Sequence, residues 1–147
     1  MTNARKKDPR HRAREAALQI LYQWDVGRAD VDHAAETFFT LQWPNVDPPP
    51  EDLRRFASAL AHDTVERLAA VDVFIAETAE RWRPERMAVL DRLILRMAVC
   101  EFLRDRETPA AVVINEALEL ARTFSTEESV KFINGMLDAI RKKIELK

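Results

Sequence analysis

Glycine is almost absent from this 147-residue sequence, which contains only Gly27 and Gly135. Hairpins and Greek keys need residues that reach positive φ at low cost, and two glycines are too few for a sheet protein of this length. The seven prolines leave long proline-free stretches between them, as helices require. The sequence therefore favours an all-α fold, a compact bundle of six or seven helices.

Hydrophobic periodicity and end signals place the first helices. The pattern predicts helix 1 from about Pro9 to residue 26, with a C-terminal stop at Gly27. A second helix is expected to start at Asp30 or Asp32, because either carboxylate suits an N-cap, and to end at Pro44.

A proline-rich linker, residues 45–50, separates these helices from the rest of the chain. The apolar pattern over residues 53–78 fits either one long bent helix or two short ones. Pro84 opens a segment that is apolar on nearly all sides, which predicts a helix in the middle of the core. A solvated face explains its narrow polar strip at least as readily as a binding site does. The strip consists of Asp91, Arg92, Arg96 and Glu101.

Two further helices complete the predicted bundle. Thr108 and Pro109 are typical of an N-cap and a first helical residue, and Ser125 and Glu128 match the S-x-x-E capping box of the last helix. Gly135 lies inside that last helix, where glycine is less stable than alanine. We therefore expect a close approach to its backbone, by a crossing helix in preference to RNA or a ligand.

Basic residues are concentrated at the N-terminus. Residues 1–14 hold six Lys or Arg against one acid, a net charge of +5, whereas the remainder carries −7 from 17 bases and 24 acids. Such a block is either a solvated terminus or a polyanion-binding arm. We expect residues 1–8 to form a flexible basic arm and residues 9–147 a single all-helical domain.

Three arginines, Arg10, Arg12 and Arg14, follow this arm into helix 1 and so lie close to a folded surface. Guanidinium groups pair with phosphates and stack on unpaired bases, which makes RNA binding a candidate function. Tyr22 shares a face with Arg14 at i, i+4 spacing through Leu18 and is a candidate for base stacking. Core packing with the hydroxyl at the surface is the alternative for this tyrosine.

The sequence carries no signal of catalysis. Its three histidines fall on different predicted elements without a second ligand at zinc spacing, and it has neither a phosphate-binding glycine motif nor a nucleophile elbow. We expect no enzyme, no metal and no cofactor. The single Cys100 cannot form an intramolecular disulfide, and no signal peptide or apolar stretch of membrane-spanning length is apparent. A cytoplasmic protein is the expectation.

Two motifs resemble the NusB transcription antitermination factors. RHRAREAALQILYQWDVG, residues 10–27, is similar to the family's arginine-rich start and its A-R-E-x-A-x-Q-x-L-Y-x-W helix. INEALELARTFSTEESVKFINGMLDAI, residues 114–140, is similar to its C-terminal run, and residues 90–103 look like its buried helix. The resemblance implies an all-helical fold of two packed subdomains.

The resemblance also implies partners. They are the single-stranded boxA element of nascent ribosomal RNA transcripts, the small-subunit ribosomal protein NusE, and the transcription elongation complex. Some members of the family self-associate over the RNA-binding face, so a homodimer of the free chain is a further expectation.

Carried over position by position, the resemblance implies roles for individual residues. His11 stands where the family often has arginine, and Asp91 stands where it has a glutamate that contacts NusE, with Glu85 assisting. The residues implied to contact RNA are Arg10, His11, Arg12, Arg14, Tyr22, Glu128, Lys131 and Phe132.

A second interpretation keeps the helical fold without specific RNA binding. The chain is then a protein–protein interaction module whose N-terminal charge only improves solubility. The salt dependence of RNA binding distinguishes the two interpretations. The same fold occurs as the N-terminal part of some RNA cytosine methyltransferases, but we expect no methyltransferase here, since no glycine-rich cofactor domain follows the last helix.

Overall fold

The computed structural model describes residues 9–79, 87–105 and 107–145, and within these ranges every regular element is a helix. The all-α prediction is confirmed, with seven α-helices in the described ranges. A π-helical turn, Phe38–Gln42, follows the second of them. The helices are α1 (Pro9–Asp25), α2 (Val31–Thr37), α3 (Glu51–Glu66), α4 (Leu68–Ala79), α5 (Val89–Arg104), α6 (Ala110–Phe124) and α7 (Glu127–Glu145).

The chain forms two compact units, Met1–His62 and Asp63–Lys147. Their number agrees with the two subdomains implied by the resemblance, whereas a single domain over residues 9–147 stays a prediction. The basic arm expected at residues 1–8 lies outside the described residues. Among the helices that the structure describes, none has the length and apolar character that a membrane span requires.

The first unit is built around α1. The alanine and aliphatic side chains of its apolar stripe are almost completely buried, and the helix packs against α2 and the π-helical turn. Asp30 caps α2, because its carboxylate accepts a hydrogen bond of 3.1 Å from the His33 amide. This confirms the first of the two predicted starts for the second helix.

The end of α1 lies beside Gly27, as predicted, but for a different physical reason. The backbone of Gly27 is not left-handed; instead Arg28 takes a φ of 59°. A Cβ at Gly27 would lie 2.7 Å from the Gln23 carbonyl oxygen, which is closer than packing allows. Glycine is therefore required here by a close approach of the backbone to itself.

Helix α5 is the centre of the second unit and packs against α4, α6 and α7. Every residue from Leu93 to Phe102 is buried, which confirms the predicted core helix. The helix begins at Val89, whereas its expected opening residue, Pro84, lies outside the described residues. The apolar pattern of residues 53–78 belongs to two helices, α3 and α4, which are separated at Arg67.

Three of the four residues in the polar strip of α5 are buried and the fourth, Arg92, is half-buried, so an ordinary solvated face does not describe the strip. Asp91, Arg96 and Glu101 are 9%, 8% and 3% exposed. The Arg96 guanidinium donates two hydrogen bonds of 2.9 Å to the Asp72 carboxylate on α4. Because a buried charge is tolerated only with a partner, Arg96 serves as a contact between α5 and α4.

The start of α6 is shifted by one residue from the prediction. Pro109 is the N-cap, and Thr108 precedes the helix. Thr108 donates its hydroxyl and its amide to the Asp105 carboxylate. These hydrogen bonds favour the charged carboxylate, and the one from the hydroxyl contributes most to lowering the pKa of Asp105.

The start of α7 differs from the prediction in the same way. The Thr126 hydroxyl accepts a hydrogen bond of 3.1 Å from the Ser129 amide and caps the helix. The predicted capping box of Ser125 and Glu128 does not form, because the Ser125 hydroxyl donates to Asp91 instead. Ser125 and Thr126 both carry a hydroxyl group that can cap a helix, so the sequence does not show which of the two is the cap.

Gly135 lies on an open face of α7. The residue is exposed, and no described atom comes within 4 Å of the place that a Cβ would occupy. The expectation of a crossing helix at this glycine is therefore wrong within the described structure. Glycine in the middle of a helix then lowers stability without any packing gain.

Alanine substitutions at the two glycines should have opposite effects. Gly135→Ala should raise the free energy of unfolding by about 0.5–1 kcal/mol, because the side chain meets open space and restricts the unfolded chain. Gly27→Ala should lower it, because the Cβ would collide with the Gln23 carbonyl oxygen. Urea denaturation followed by circular dichroism measures both, and a change of the same sign at both positions would contradict this account.

Candidate nucleic-acid interface

The three arginines at the start of α1 are ordered by aromatic rings. The guanidinium carbon of Arg10 lies 4.2 Å from the centroid of the Phe56 ring, and that of Arg14 lies 5.3 Å from the same centroid. The guanidinium carbon of Arg12 lies 5.2 Å from the Trp43 ring. These are cation–π contacts, so the positive charge is held against the first unit.

The accessible part of this basic surface is at Arg10 and Arg12. Arg10 is exposed and Arg12 is half-buried, but only 4% of Arg14 is exposed. His11 is also buried, and its Nε2 lies 3.4 Å from Oε2 of Glu15 one turn further along the helix. RNA contacts by Arg14 and His11 stay predictions, and both side chains offer little surface for direct contact.

Trp43 is fixed in place from several sides. Its indole N–H donates a hydrogen bond of 3.0 Å to the Asp47 carbonyl. Its ring meets Phe38 edge-on at a centroid distance of 6.3 Å and lies 5.7 Å from Phe39 at a tilt of 40°. Arg12 therefore stacks on a ring whose orientation is determined by the π-helical turn and the loop after it.

Tyr22 reaches the surface two turns beyond Arg14. It is 40% exposed, while Leu18 between them is 1% exposed. Helical spacing thus puts the three side chains on one side of α1, but only the tyrosine ring remains accessible. An accessible ring on the helix that carries the arginines is suited to base stacking, and this role stays a prediction.

The second unit has a cleft of about 270 Å³ between the start of α5 and the start of α7. Three of the candidate contact residues from the sequence line this cleft, namely Asp91, Glu128 and Phe132. Lys131, another candidate RNA contact, is exposed on α7 beside Phe132 and does not line the cleft. The complete lining is Met87, Ala88, Asp91, Thr126, Glu128, Ser129 and Phe132.

Asp91 is the polar centre of this cleft. Its carboxylate accepts hydrogen bonds of 2.8 Å from the Ser125 hydroxyl and 2.7 Å from the Ser129 hydroxyl. Hydrogen bonds to a carboxylate are stronger than those between neutral groups. The contact therefore ties the first turn of α5 to the first turn of α7 and sets the shape of the cleft. Glu85, the other expected partner contact, lies outside the described residues.

The residues that hold the candidate contacts carry no signal of that role in the sequence. Phe56 falls within the apolar pattern of residues 53–78, and Trp43 precedes the proline-rich linker without a predicted role. Ser129 lacks the sequence context of a nucleophile, and no other role is predicted for it. No local signal pairs an aromatic residue with an arginine 30 or more positions earlier, as for Arg12 and Trp43.

Among the described residues, no group of three or more His, Cys, Asp or Glu could hold a metal ion.

The NusB family model matches residues 11–142 of the chain. The transcription antitermination protein NusB of Koribacter versatilis (strain Ellin345) is 45% identical over 140 residues, which cover 95% of this chain and 93% of that protein. The protein of the same name from Solibacter usitatus (strain Ellin6076) is 48% identical over 135 residues, with 92% and 90% covered.

Solved structures share the fold. The chain is similar to T. maritima NusB with a TM-score of 0.82 and 33% identity, and 93% of each chain is covered. It is also similar to a chain in the crystal structure of antitermination factors NusB and NusE in complex with dsRNA. That likeness has a TM-score of 0.77 at 24% identity, covers 92% of this chain and 97% of the other, and extends to the fold alone.

Removing the carboxylate of Asp91 should destabilise the second unit. Asp91→Ala leaves the Ser125 and Ser129 hydroxyls without their acceptor, and we expect the free energy of unfolding to fall by about 1–3 kcal/mol. Asp138→Ala, which removes a carboxylate from the surface of α7, is the matched control and should change stability much less. Urea denaturation measures both variants, and equal small losses would show that the Asp91 contact contributes little.

Proposed function

Because the chain belongs to the NusB family, we propose that it binds the boxA element of nascent ribosomal RNA transcripts together with NusE, the small-subunit ribosomal protein. The role is that of a transcription antitermination factor, which is regulatory and involves no catalytic step. The observation that carries the RNA-binding part is the group of arginines held on aromatic rings at the start of α1.

In this proposal the arginines meet the RNA backbone. Arg10 and Arg12 are accessible, and a guanidinium pairs with a phosphate through two parallel hydrogen bonds. Arg14 and His11 are both buried, so in this proposal they support the surface and make little direct contact with RNA. Backbone contacts of this kind give affinity that falls with salt.

Base recognition is proposed for side chains with accessible rings or acceptors. Tyr22 is 40% exposed and Phe132 is half-buried at the rim of the cleft, so each offers a ring to an unpaired base. The Glu128 carboxylate can accept a hydrogen bond from a base amino group. Lys131 adds a positive charge beside Phe132.

The proposed NusE surface is centred on the cleft of the second unit. Asp91 lines it, and the hydroxyls of Ser125 and Ser129 fix the direction of that carboxylate. Glu85 is the second proposed contact. The transcription elongation complex is a further proposed partner. Since transcription takes place in the cytoplasm of bacteria, we propose that the protein is cytoplasmic.

Self-association of the free chain is proposed as an alternative use of the RNA-binding face.

A second candidate is a helical interaction module without specific RNA binding. The burial of Arg14 and His11 favours it, because half of the predicted basic contacts on α1 point into the unit. In that case the aromatic contacts of the arginines only stabilise the fold. The two candidates differ in whether the protein selects an RNA sequence.

Titration of a boxA oligonucleotide and a scrambled one, at two salt concentrations and with and without NusE, distinguishes them. We expect weak binding by the chain alone and tighter, boxA-selective binding with NusE, because two basic and aromatic surfaces then contact one strand. Fluorescence anisotropy measures the affinities. Equal weak binding to both oligonucleotides in every condition would leave only the interaction module.

Arginine substitutions should change the salt dependence of boxA binding, whereas a tyrosine substitution should not. Arg10→Ala and Arg12→Ala should each weaken binding and reduce the slope of log K against log salt by about 0.7, the value for one phosphate contact on a single strand. Tyr22→Ala should weaken binding by about 1–3 kcal/mol with the slope unchanged, because base stacking releases no counterions. An unchanged slope in both arginine variants would show that phosphates are met elsewhere.

A further inference from the structure

We propose that Phe56 is a positioning residue of the RNA-binding surface, whose ring holds the guanidinium group of Arg10 where it meets RNA and holds that of Arg14 within the folded surface. Trp43 positions Arg12 in the same way. The inference rests on the proposed function, since it concerns how that same surface binds RNA. Neither aromatic side chain contacts the RNA in this proposal.

The contacts that carry the proposal lie within the first unit. Phe56 is a half-buried residue of α3, and the guanidinium carbons of Arg10 and Arg14 lie 4.2 and 5.3 Å from its ring centroid. Both distances are within the reach of cation–π attraction, which extends to about 6 Å. The two arginines are one helical turn apart, so a single ring orients both of them.

A stacked arginine remains able to bind RNA. A guanidinium group carries five N–H donors in its own plane, and attraction to an aromatic ring acts on the positive charge without using those donors. Phosphate oxygens can therefore still accept hydrogen bonds from them. Arg10 is exposed and is the better placed of the two for this contact.

Ordering the arginines before binding favours an anionic partner. A side chain that is already held loses less conformational freedom when it meets its ligand. Two guanidinium groups beside one ring also repel each other, and a phosphate bound at the exposed Arg10 relieves that repulsion. The ring thus places the charge of the buried Arg14 beside the arginine that makes the direct contact.

Trp43 extends this surface to Arg12. Its ring is fixed by the hydrogen bond to the Asp47 carbonyl and by its packing on Phe38 and Phe39. Because the ring cannot turn freely, the guanidinium that lies 5.2 Å from it is also restricted. Three arginines are thereby ordered by two rings that come from later parts of the chain.

A double-mutant cycle on boxA RNA binding tests the role of Phe56, with the full chain and NusE present. Phe56→Leu removes the aromatic face and keeps an apolar side chain. We expect it to weaken boxA binding about three- to tenfold, in keeping with the strength of a cation–π contact. In a chain that also carries Arg10→Ala and Arg14→Ala, the same substitution should change affinity less than about twofold, because the groups that it positions are gone.

Two further variants are the controls for this cycle. Phe56→Tyr keeps the aromatic face and should bind boxA RNA within about twofold of the parent chain. Phe102→Leu, in the core of the second unit, should lower thermal stability and leave the affinity unchanged. The proposal is wrong if Phe56→Leu weakens binding equally with and without the two arginines, or if Phe56→Tyr binds as weakly as Phe56→Leu.

Arg10→Lys tests the proposal even if Phe56→Leu does not fold. It keeps the positive charge at an exposed position but replaces the planar guanidinium with a compact ammonium group. We expect weaker boxA binding at unchanged net charge. An affinity equal to that of the parent chain would contradict the stacked arrangement.

Arginine side-chain NMR on the free chain separates this proposal from the proposed function. The Nε–Hε group of Arg10 should be ordered in the parent chain and mobile in Phe56→Leu. Equal mobility in both would overturn the positioning role, whether or not boxA RNA binds. An ordered Arg10 in a chain that fails to select boxA RNA would support the ordering by Phe56 and overturn the proposed function.

Discussion

The burial of α5 is the constraint on which the second unit depends. A helix enclosed on nearly all sides can carry charged side chains only if each has a partner, because an unpaired buried charge costs several kcal/mol. Arg96 meets this need through Asp72 on α4, and Asp91 meets it through Ser125 and Ser129 at the start of α7. These directional bonds determine where the neighbouring helices lie along α5, and the cleft beside Asp91 follows from them.

Several features that depend on neighbouring residues could be predicted from the sequence, although the caps of α6 and α7 each lie one residue later than expected. The cap of α2 at Asp30 follows from a carboxylate that acts within one helical turn. The enclosure of α5 follows from periodicity alone. The arginines of the first helix could also be predicted, because charge clustering is a local property, and the family resemblance implies their proposed ligand.

Contacts between distant residues could not be predicted. The sequence pattern of an apolar helix with a charged strip does not show whether the strip faces water or a partner in another helix. At Arg96 the partner is a carboxylate 24 positions away. At Gly135 the sequence shows that a glycine lowers helix stability, but it does not show that the space beside this glycine is open. In the candidate site the arginines could be predicted, whereas Phe56 fits an apolar helix face and nothing near it in sequence indicates the guanidinium groups on its ring.

The bidentate contact between Arg96 and Asp72 restricts how this protein can change over evolution. Loss of the aspartate alone leaves a guanidinium enclosed by its neighbours, and loss of the arginine alone leaves a partly enclosed carboxylate. Replacement of both by apolar residues of similar volume is tolerated far better than either single step. Positions 72 and 96 are therefore expected to vary together among relatives, so that homologous sequences carry either the whole ion pair or an apolar pair.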